Sequence, residues 1–205
     1  PKGQNVEEYE VSGMPSASGL REGKGFVDYV LWGNDGLPLA VVEAKKTKVD
    51  PKVGKRQAEL YADCLEQQFS QRPVIFYTNG YSTWLWDDVD YPPREVEGFY
   101  TRDELQWLIN RRSSKQNLGE LQPKPEITGR YYQMEAAARV METFDTQRKR
   151  KSLIVMATGT GKTRLSISLV DMLTRSNWSR RVLFLADRKA LVRQAKREFK
   201  KHLPN

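Results

Sequence analysis

The chain has 205 residues, and with 39% hydrophobic and 10% aromatic residues it has enough apolar material for a packed core. It has one cysteine and one histidine, which excludes an internal disulfide framework and a multi-cysteine zinc site, argues against a Ser-His-Asp triad, and suits the cytoplasm. The net charge of +8 favours a polyanionic partner over a merely basic soluble protein only modestly, and no apolar run approaches the roughly 18 residues that a membrane span needs.

Residues 1–90 combine apolar strand patterns with one amphipathic helix. Asp35–Gly36 favours a tight hairpin turn, and Asp50 followed by Pro51 is typical of a helix start. We therefore predict a compact domain of βββαβ order that closes with a further return strand. Its elements are expected at Val6–Val11, Phe26–Trp32, Leu39–Val42, Asp50–Phe69, Val74–Tyr77 and Tyr81–Trp86.

One charged residue interrupts an apolar strand. The segment Phe26–Trp32 is apolar on both alternating faces except at Asp28, so we expect a strand that is covered on both sides. Asp28 should be buried on the face that carries Phe26 and Val30. Because burial of an unpaired carboxylate is unfavourable by several kcal/mol, Asp28 needs a counter-charge or a metal ion.

Two more charged residues follow across the hairpin. Glu43 and Lys45 are two residues apart and point to one face of their strand, so a neighbouring strand can bring Asp28 to them. Two carboxylates suit Mg²⁺, and a lysine can orient water or stabilise developing negative charge. The cluster predicts phosphodiester hydrolysis, with Asp28, Glu43 and Lys45 as catalytic residues and the two carboxylates as metal ligands. A simple salt-bridge cluster is the alternative.

The next helix brings polar residues to the same region. Val53, Cys64 and Leu65 indicate its apolar side, and Gln57 and Tyr61, four residues apart, fall on that side. An inward-facing glutamine needs hydrogen-bond partners, which an active site supplies. A buried glutamine that bonds to backbone is an equally good interpretation.

The order Asp28, then Glu43-Ala44-Lys45, then Gln57-xxx-Tyr61 resembles the D…ExK…QxxxY signature of RecB-like nucleases in the PD-(D/E)xK class. That version is used by the R subunits of type I restriction-modification enzymes. The resemblance implies catalysis by the first three residues and a site-organising or DNA-contacting role for Gln57 and Tyr61. Such nucleases usually carry a further acidic residue on an earlier helix. The early glutamates fall in a predicted strand and are not assigned that role: Glu7, Glu8 and Glu10.

Residues 91–127 are rich in proline and are predicted to be a linker with one short helix, Arg102–Asn110. Residues 128–205 alternate helix and strand patterns, which is typical of a parallel sheet. The expected strands are Ser152–Met156 and Arg181–Ala186. Helices are expected at Tyr132–Phe144, from Lys162 onward, and at Lys189–Lys201.

A glycine-rich loop joins the first of these strands to a helix. Its backbone N–H groups and the helix N-terminus can cradle phosphates, Lys162 can reach the β and γ oxygens, and Thr163 can ligate Mg²⁺, so the loop predicts ATP binding. Met156 stands where the strict Walker pattern has glycine, a departure that resembles superfamily-two helicases. The predicted ATP-binding residues here are Thr158, Gly159, Thr160, Gly161, Lys162 and Thr163.

Two further segments resemble helicase motifs. Gln133 resembles the adenine-reading Q motif, because its amide can both donate to and accept from adenine. Asp187, Arg188 and Gln194 resemble motif Ia, whose loops contact the DNA backbone, although a solvated basic face is the alternative. No DExH-type carboxylate pair follows the loop, so we expect nucleotide binding without efficient hydrolysis, in a chain that is truncated or only partly ordered.

These features predict an α/β fold: a PD-(D/E)xK restriction-endonuclease-like domain (1–90), the linker (91–127) and the beginning of a RecA-like P-loop domain (128–205). The resemblance to type I R subunits implies ATP-driven translocation of double-stranded DNA, Mg²⁺-dependent cleavage, methylation and specificity subunits as partners, and a bacterial or archaeal cytoplasm. Two alternatives remain open: a helicase-nuclease of DNA repair or phage defence, and a non-catalytic DNA-binding module fused to a translocase.

Overall fold

A computed structural model describes residues 6–15 and 23–203. The chain divides into two compact units, Pro1–Ser113 and Ser114–Asn205, and the division falls inside the proline-rich segment 91–127. In the described ranges no helix combines the length and the apolar character that crossing a bilayer requires.

The first unit is built on a six-stranded sheet in which spatial order follows chain order. β3 and β4 pair in parallel, with a helix between them in the chain, and every other neighbouring pair is antiparallel. This confirms the predicted order of elements and adds a short sixth strand. The strands are β1 (Val6–Ser12), β2 (Lys24–Trp32), β3 (Pro38–Ala44), β4 (Val74–Thr78), β5 (Thr83–Trp86) and β6 (Arg94–Val96).

The connection from β3 to β4 begins with a 3₁₀ turn, Pro51–Gly54, and continues as helix α1, Lys55–Phe69. The Asp50 carboxylate caps the turn by accepting the N–H of Lys52 at 2.9 Å, as the Asp-Pro pair predicted. The assignment of Val53 to the apolar side of the helix was wrong. Val53 lies in the 3₁₀ turn, whose period differs from that of an α-helix, and it is 67% exposed.

Helices cover both faces of this sheet. On one face, α1 shares a buried cluster with Val41 and Ile75. On the other face, helix α2 (Arg102–Ser114) contributes Leu105 and Leu108 to a second cluster, so the helix expected within a linker is part of the first unit's core. β3 and β4 lie in the middle of the sheet and are buried almost throughout. β3, which carries Glu43 of the predicted site, is therefore held in place from both faces and both edges.

The alternation of buried and exposed residues changes phase around Asp28. Val27 and Val30 are both fully buried, whereas Phe26 is 52% exposed, so the expected shared face of Phe26 and Val30 was wrong. Asp28 itself is only half-buried. Across from Asp28, β1 pairs Glu7 with Tyr29 and Tyr9 with Val27, and the Glu8 between them has a left-handed backbone (φ 52°), an irregularity that accompanies the phase change.

The second unit is helical in the part that the structure describes. Its helices are α3 (Tyr131–Asp145), α4 (Lys162–Arg175) and α5 (Lys189–His202), close to the predicted ranges. Its core joins Leu118 with residues of α3 and α4 such as Met141 and Leu165.

The strands predicted at 152–156 and 181–186 are not formed. Leu153, Val155 and Leu183 are 89%, 87% and 80% exposed. A strand of a parallel sheet needs hydrogen-bonded neighbours at its edges and helices on its faces, and the described residues of this unit include no strand to pair with. The described residues of the second unit therefore do not form the expected RecA-like sheet.

Candidate nuclease site and nucleotide loop

The β2–β3 hairpin brings the two predicted carboxylates together. Tyr29 lies opposite Val42 in the register, so the preceding Asp28 and the following Glu43 are cross-strand neighbours on one face. The backbone N–H of Ala44 donates to Oδ2 of Asp28 at 2.6 Å, which fixes the Asp28 carboxylate beside the end of β3. The hairpin thus brings the two predicted carboxylates side by side, as expected from the sequence.

Glu43 is the buried member of the pair, with 2% exposure. Its Oε1 accepts a hydrogen bond from Nζ of Lys45 at 2.5 Å, whereas its buried Oε2 has no hydrogen-bond partner in the described structure. Burial is the main cause that raises the pKa of Glu43, and the negative charge of Asp28 adds to it, while Lys45 opposes the shift. The unpaired Oε2 of Glu43 is therefore a buried acceptor without a donor among the described residues.

A chain of hydrogen bonds connects the site to α1. Nζ of Lys45 also donates to Oε1 of Gln57 at 2.9 Å, and Nε2 of Gln57 donates to Oη of Tyr61 at 2.7 Å. The i, i+4 spacing of Gln57 and Tyr61 puts both side chains on the helix face that meets the sheet. Burial is the main cause that raises the pKa of Tyr61, which keeps its hydroxyl protonated. The structure therefore brings all five predicted residues of this site together.

Two glycines that the sequence analysis passed over allow this close packing. A Cβ at Gly54 would lie 2.9 Å from Cγ of Glu43, and a Cβ at Gly25 would lie 2.8 Å from Cε1 of Tyr61. For Gly25 the sequence signal was present, since a glycine inside a strand often marks close approach of another group.

The donor set fits Mg²⁺. Asp28 and Glu43 offer hard carboxylate oxygens, and the unpaired Oε2 of Glu43 leaves a ligand position open. No group of three or more His, Cys, Asp or Glu side chains suited to a metal occurs in the described ranges. Mg²⁺ commonly binds through one or two carboxylates and keeps water and phosphate oxygens as its other ligands, so two carboxylates are sufficient.

The glycine-rich loop precedes α4. Gly159 and Gly161 have positive φ angles of 80° and 92°, a backbone that favours glycine. Nζ of Lys162 donates to the carbonyl oxygens of Met156 and Ala157 at 3.2 and 3.1 Å, so the ammonium group spans the loop. Of the two other predicted residues, Thr158 is exposed and Thr163 is half-buried.

The start of α3 holds this loop through one carbonyl group. Nε2 of Gln133 and Oη of Tyr132 both donate to the carbonyl oxygen of Thr160, at 2.9 and 3.0 Å. Gln133 is 3% exposed, and a Cβ at Gly161 would lie 2.2 Å from its Nε2. The residue expected to contact adenine thus contacts the loop itself, and Tyr132, which the sequence analysis did not single out, shares its acceptor.

The residues predicted to contact DNA in the second unit lie at its surface. Asp187 and Arg188 form an exposed ion pair at 3.6 Å, and Gln194 is exposed on α5. Such a pair contributes little to stability.

Two families match the chain. The family described as "Type I restriction enzyme R protein N terminus" matches residues 4–94, and "Type III restriction enzyme, res subunit" matches residues 126–205. The cluster of Asp28, Glu43 and Lys45 lies in the first range and the glycine-rich loop in the second. These matches place the chain among proteins of restriction systems.

The curated relatives narrow this class. The chain is 32% identical to the endonuclease subunit of the type I restriction enzyme EcoAI from Escherichia coli, over 82% of the chain and 22% of that subunit. It is 28% identical to the EcoKI endonuclease subunit from Escherichia coli strain K12, over 90% of the chain and 20% of the subunit. The chain is homologous to the R subunit of type I restriction enzymes, in its N-terminal part, and it spans about a fifth of the length of these relatives.

A solved structure gives a further match. The chain is 28% identical to a fragment of an HsdR subunit of a type I restriction enzyme from Vibrio vulnificus YJ016, covering 86% of this chain and 34% of that one, with a TM-score of 0.42.

Proposed function

We propose that the first unit is the nuclease of a type I restriction enzyme and that the second begins its ATP-dependent DNA translocase. The observation that carries the nuclease proposal is the buried Glu43, whose free Oε2 lies in the cluster that Asp28 and Lys45 complete. An unpaired, buried carboxylate oxygen is costly, and a cation held at that position would offset the cost.

Each residue has a distinct task in this proposal. Asp28 and Glu43 would hold Mg²⁺, which when bound supplies polarisation of the phosphoryl group and acidifies the attacking water. Lys45 stabilises the negative charge that develops on the phosphate, or orients the water, from its position beside Glu43. Gln57 orients the Lys45 ammonium, and Tyr61 orients Gln57, so both are positioning residues.

In the second unit the glycine-rich loop would bind the phosphates of ATP. Lys162 would exchange its bonds to two loop carbonyls for phosphate oxygens, and Thr163 would ligate the Mg²⁺ of the nucleotide. Gln133 contacts the same loop and would sense adenine beside it. A basic helix, α5, supports a DNA-tracking role for this unit, with weak contributions from Arg188 and Gln194.

The assembly follows from the type I relationship. The chain would act on double-stranded DNA together with methylation and specificity subunits, in the cytoplasm of a bacterium or archaeon. The specificity subunit would then supply the sequence recognition. A helicase-nuclease of DNA repair is the competing proposal, and copurification with a methyltransferase would decide against it.

The test uses the complete protein with its partner subunits, on plasmid DNA, with and without ATP and Mg²⁺. Lys45→Ala should lower cleavage by about 100-fold or more while DNA binding and translocation persist. Lys24→Ala is the matched control, because it removes a lysine whose ion pair with Glu10 is exposed. Cleavage by Lys45→Ala at the wild-type rate would refute the nuclease assignment, and unchanged ATPase activity in Lys162→Ala would refute the nucleotide site.

A further inference from the structure

Positive charge is concentrated beside the carboxylate cluster. The first unit carries 14 basic and 18 acidic residues, a net charge of −4. The short segment from Lys45 to Arg56 nevertheless holds six basic residues and one acidic residue, Asp50. Asp50 caps the 3₁₀ turn, so its carboxylate is already engaged by the backbone. The chain's general basicity does not explain a local excess within an acidic unit.

Four of these lysines follow Glu43 closely in the chain, and we call them the basic face: Lys46, Lys48, Lys52 and Lys55. Lys46, Lys48 and Lys52 are exposed, and no ion pair with a carboxylate involves any of the four in the described structure. Lys52 and Lys55 lie over tryptophan rings, but no carboxylate among the described residues neutralises any of the four charges. Phosphate groups are the partners that such a cluster attracts.

The basic face extends the row of side chains that contains the site. Glu43 is the register partner of Tyr77 on β4, and Tyr77 is that of Trp84 on β5. Nζ of Lys52 lies 4.7 Å above the ring of Trp84. Strands are about 4.8 Å apart, so Trp84, whose ring Lys52 covers, lies about 10 Å along the row from Glu43. Nζ of Lys55 lies 4.3 Å above the ring of Trp86, which is two residues from Trp84 on β5 and on the same face of the sheet.

A second element fixes the loop that carries Lys46 and Lys48. Nδ2 of Asn79, in the β4–β5 turn, donates to the carbonyl oxygens of Thr47 and Val49 at 3.4 and 3.0 Å. Its Oδ1 accepts the backbone N–H groups of Tyr81 and Ser82, at 3.1 and 3.0 Å, so one side chain closes the turn and holds the loop. Because Asn79 already orders the loop, less conformational entropy of the loop is lost when Lys46 and Lys48 bind a ligand.

We infer that the basic face binds the sugar-phosphate backbone of duplex DNA next to the phosphate that is cut, and that Asn79 is its positioning residue. The inference rests on the proposed nuclease function and adds to it the surface that seats the substrate. The basic face would bind DNA of any sequence, since it contacts the phosphates and not the base edges.

The test measures binding of a fluorescently labelled duplex by the full chain in a Lys45→Ala background, across a salt series from about 50 to 200 mM. Lys46→Gln/Lys48→Gln and Lys52→Gln/Lys55→Gln should each reduce the slope of log affinity against log salt by about two. Arg102→Gln is the control. Its guanidinium bonds to Asn34, in the turn at the opposite end of the β2–β3 hairpin, and its slope should not change.

A double-mutant cycle tests Asn79. Asn79→Ala should weaken duplex binding several-fold in the Lys45→Ala background and have no further effect when Lys46 and Lys48 are already glutamine. An independent structural effect of Asn79 would instead add to that of the double variant and would overturn its assigned role.

The two proposals fail in different ways. If both double variants have the same salt slope as Arg102→Gln, the proposed DNA contact by the basic face is refuted. Loss of cleavage in Lys45→Ala would still support the nuclease proposal in that case. Retained cleavage in Lys45→Ala would refute the nuclease whatever the slopes.

Discussion

Glu43→Gln should make the first unit more stable while it abolishes cleavage. The substitution keeps an oxygen that can accept from Lys45, and it replaces a buried, unpaired carboxylate oxygen by an amide. A neutral amide loses less hydration on burial than a carboxylate does. Lys45 loses a counter-charge, but its side chain is 24% exposed and keeps its bond to Gln57. The net gain should be about 1 kcal/mol near neutral pH, which raises Tm by about 4 °C.

The pH dependence follows from the raised pKa of Glu43. A raised pKa means that the folded state favours the protonated form of Glu43. Protonated Glu43 therefore contributes fully to the stability of the fold below pH 4.5, the ordinary pKa, and this contribution is lost as the pH rises through the folded-state pKa. The advantage of Glu43→Gln over the wild type should therefore be small near pH 4.5 and grow as the pH rises above it.

Thermal unfolding in EDTA, followed by tryptophan fluorescence, measures this effect, because four of the five tryptophans lie in the first unit. Added Mg²⁺ at ten times its Kd should stabilise the wild type by about 1.4 kcal/mol and leave the variant unchanged. A variant that is less stable than the wild type at neutral pH, or that gains equally from Mg²⁺, would refute the reasoning.

Three further outcomes test other parts of the chain. Tyr61→Phe removes the acceptor of the Gln57 amide, so we expect cleavage to fall several-fold with unchanged duplex affinity and a loss of about 1 kcal/mol in the free energy of unfolding, measured by urea denaturation. Gly161→Ala forces a Cβ against Gln133 at a positive φ, and equilibrium binding of a fluorescent ATP analogue should weaken at least about tenfold, whereas wild-type affinity would contradict the loop geometry. Arg72→Ala leaves three carboxylates without their shared cation, and the first unit should lose about 3 kcal/mol in the same denaturation assay; a loss below about 1 kcal/mol would mean that the ion pairs are merely superficial.

Local patterns were sufficient to predict the order of β1–β5 and α1 in the first unit, but not β6 or the place of α2 in its core. Strand periodicity, the Asp-Gly turn and the Asp50 cap depend on residues near in sequence, and the structure has each of them. The same patterns indicated that Asp28, Glu43 and Lys45 meet, because a hairpin of this length allows few registers. Their catalytic roles stay predictions.

The sequence misled where a residue's environment depends on distant groups. Whether Phe26 or Val27 is buried depends on the irregular strand opposite, which no local period reveals. The segments around Leu153 and Leu183 have strand composition, but a strand exists only when a neighbour supplies hydrogen bonds. The place of Gly54 beside Glu43 arises from packing between a turn and a strand.

The two donors on the Thr160 carbonyl have a consequence for nucleotide exchange. Because Tyr132 and Gln133 donate to the same oxygen, rotation of the Thr160 peptide group should break both bonds in one event. The first turn of α3 would then loosen whenever the loop opens for a phosphate. Hydrogen exchange at the amides near Tyr132 should consequently respond to added ATP, and an exchange rate indifferent to nucleotide would mean that the helix and the loop move separately.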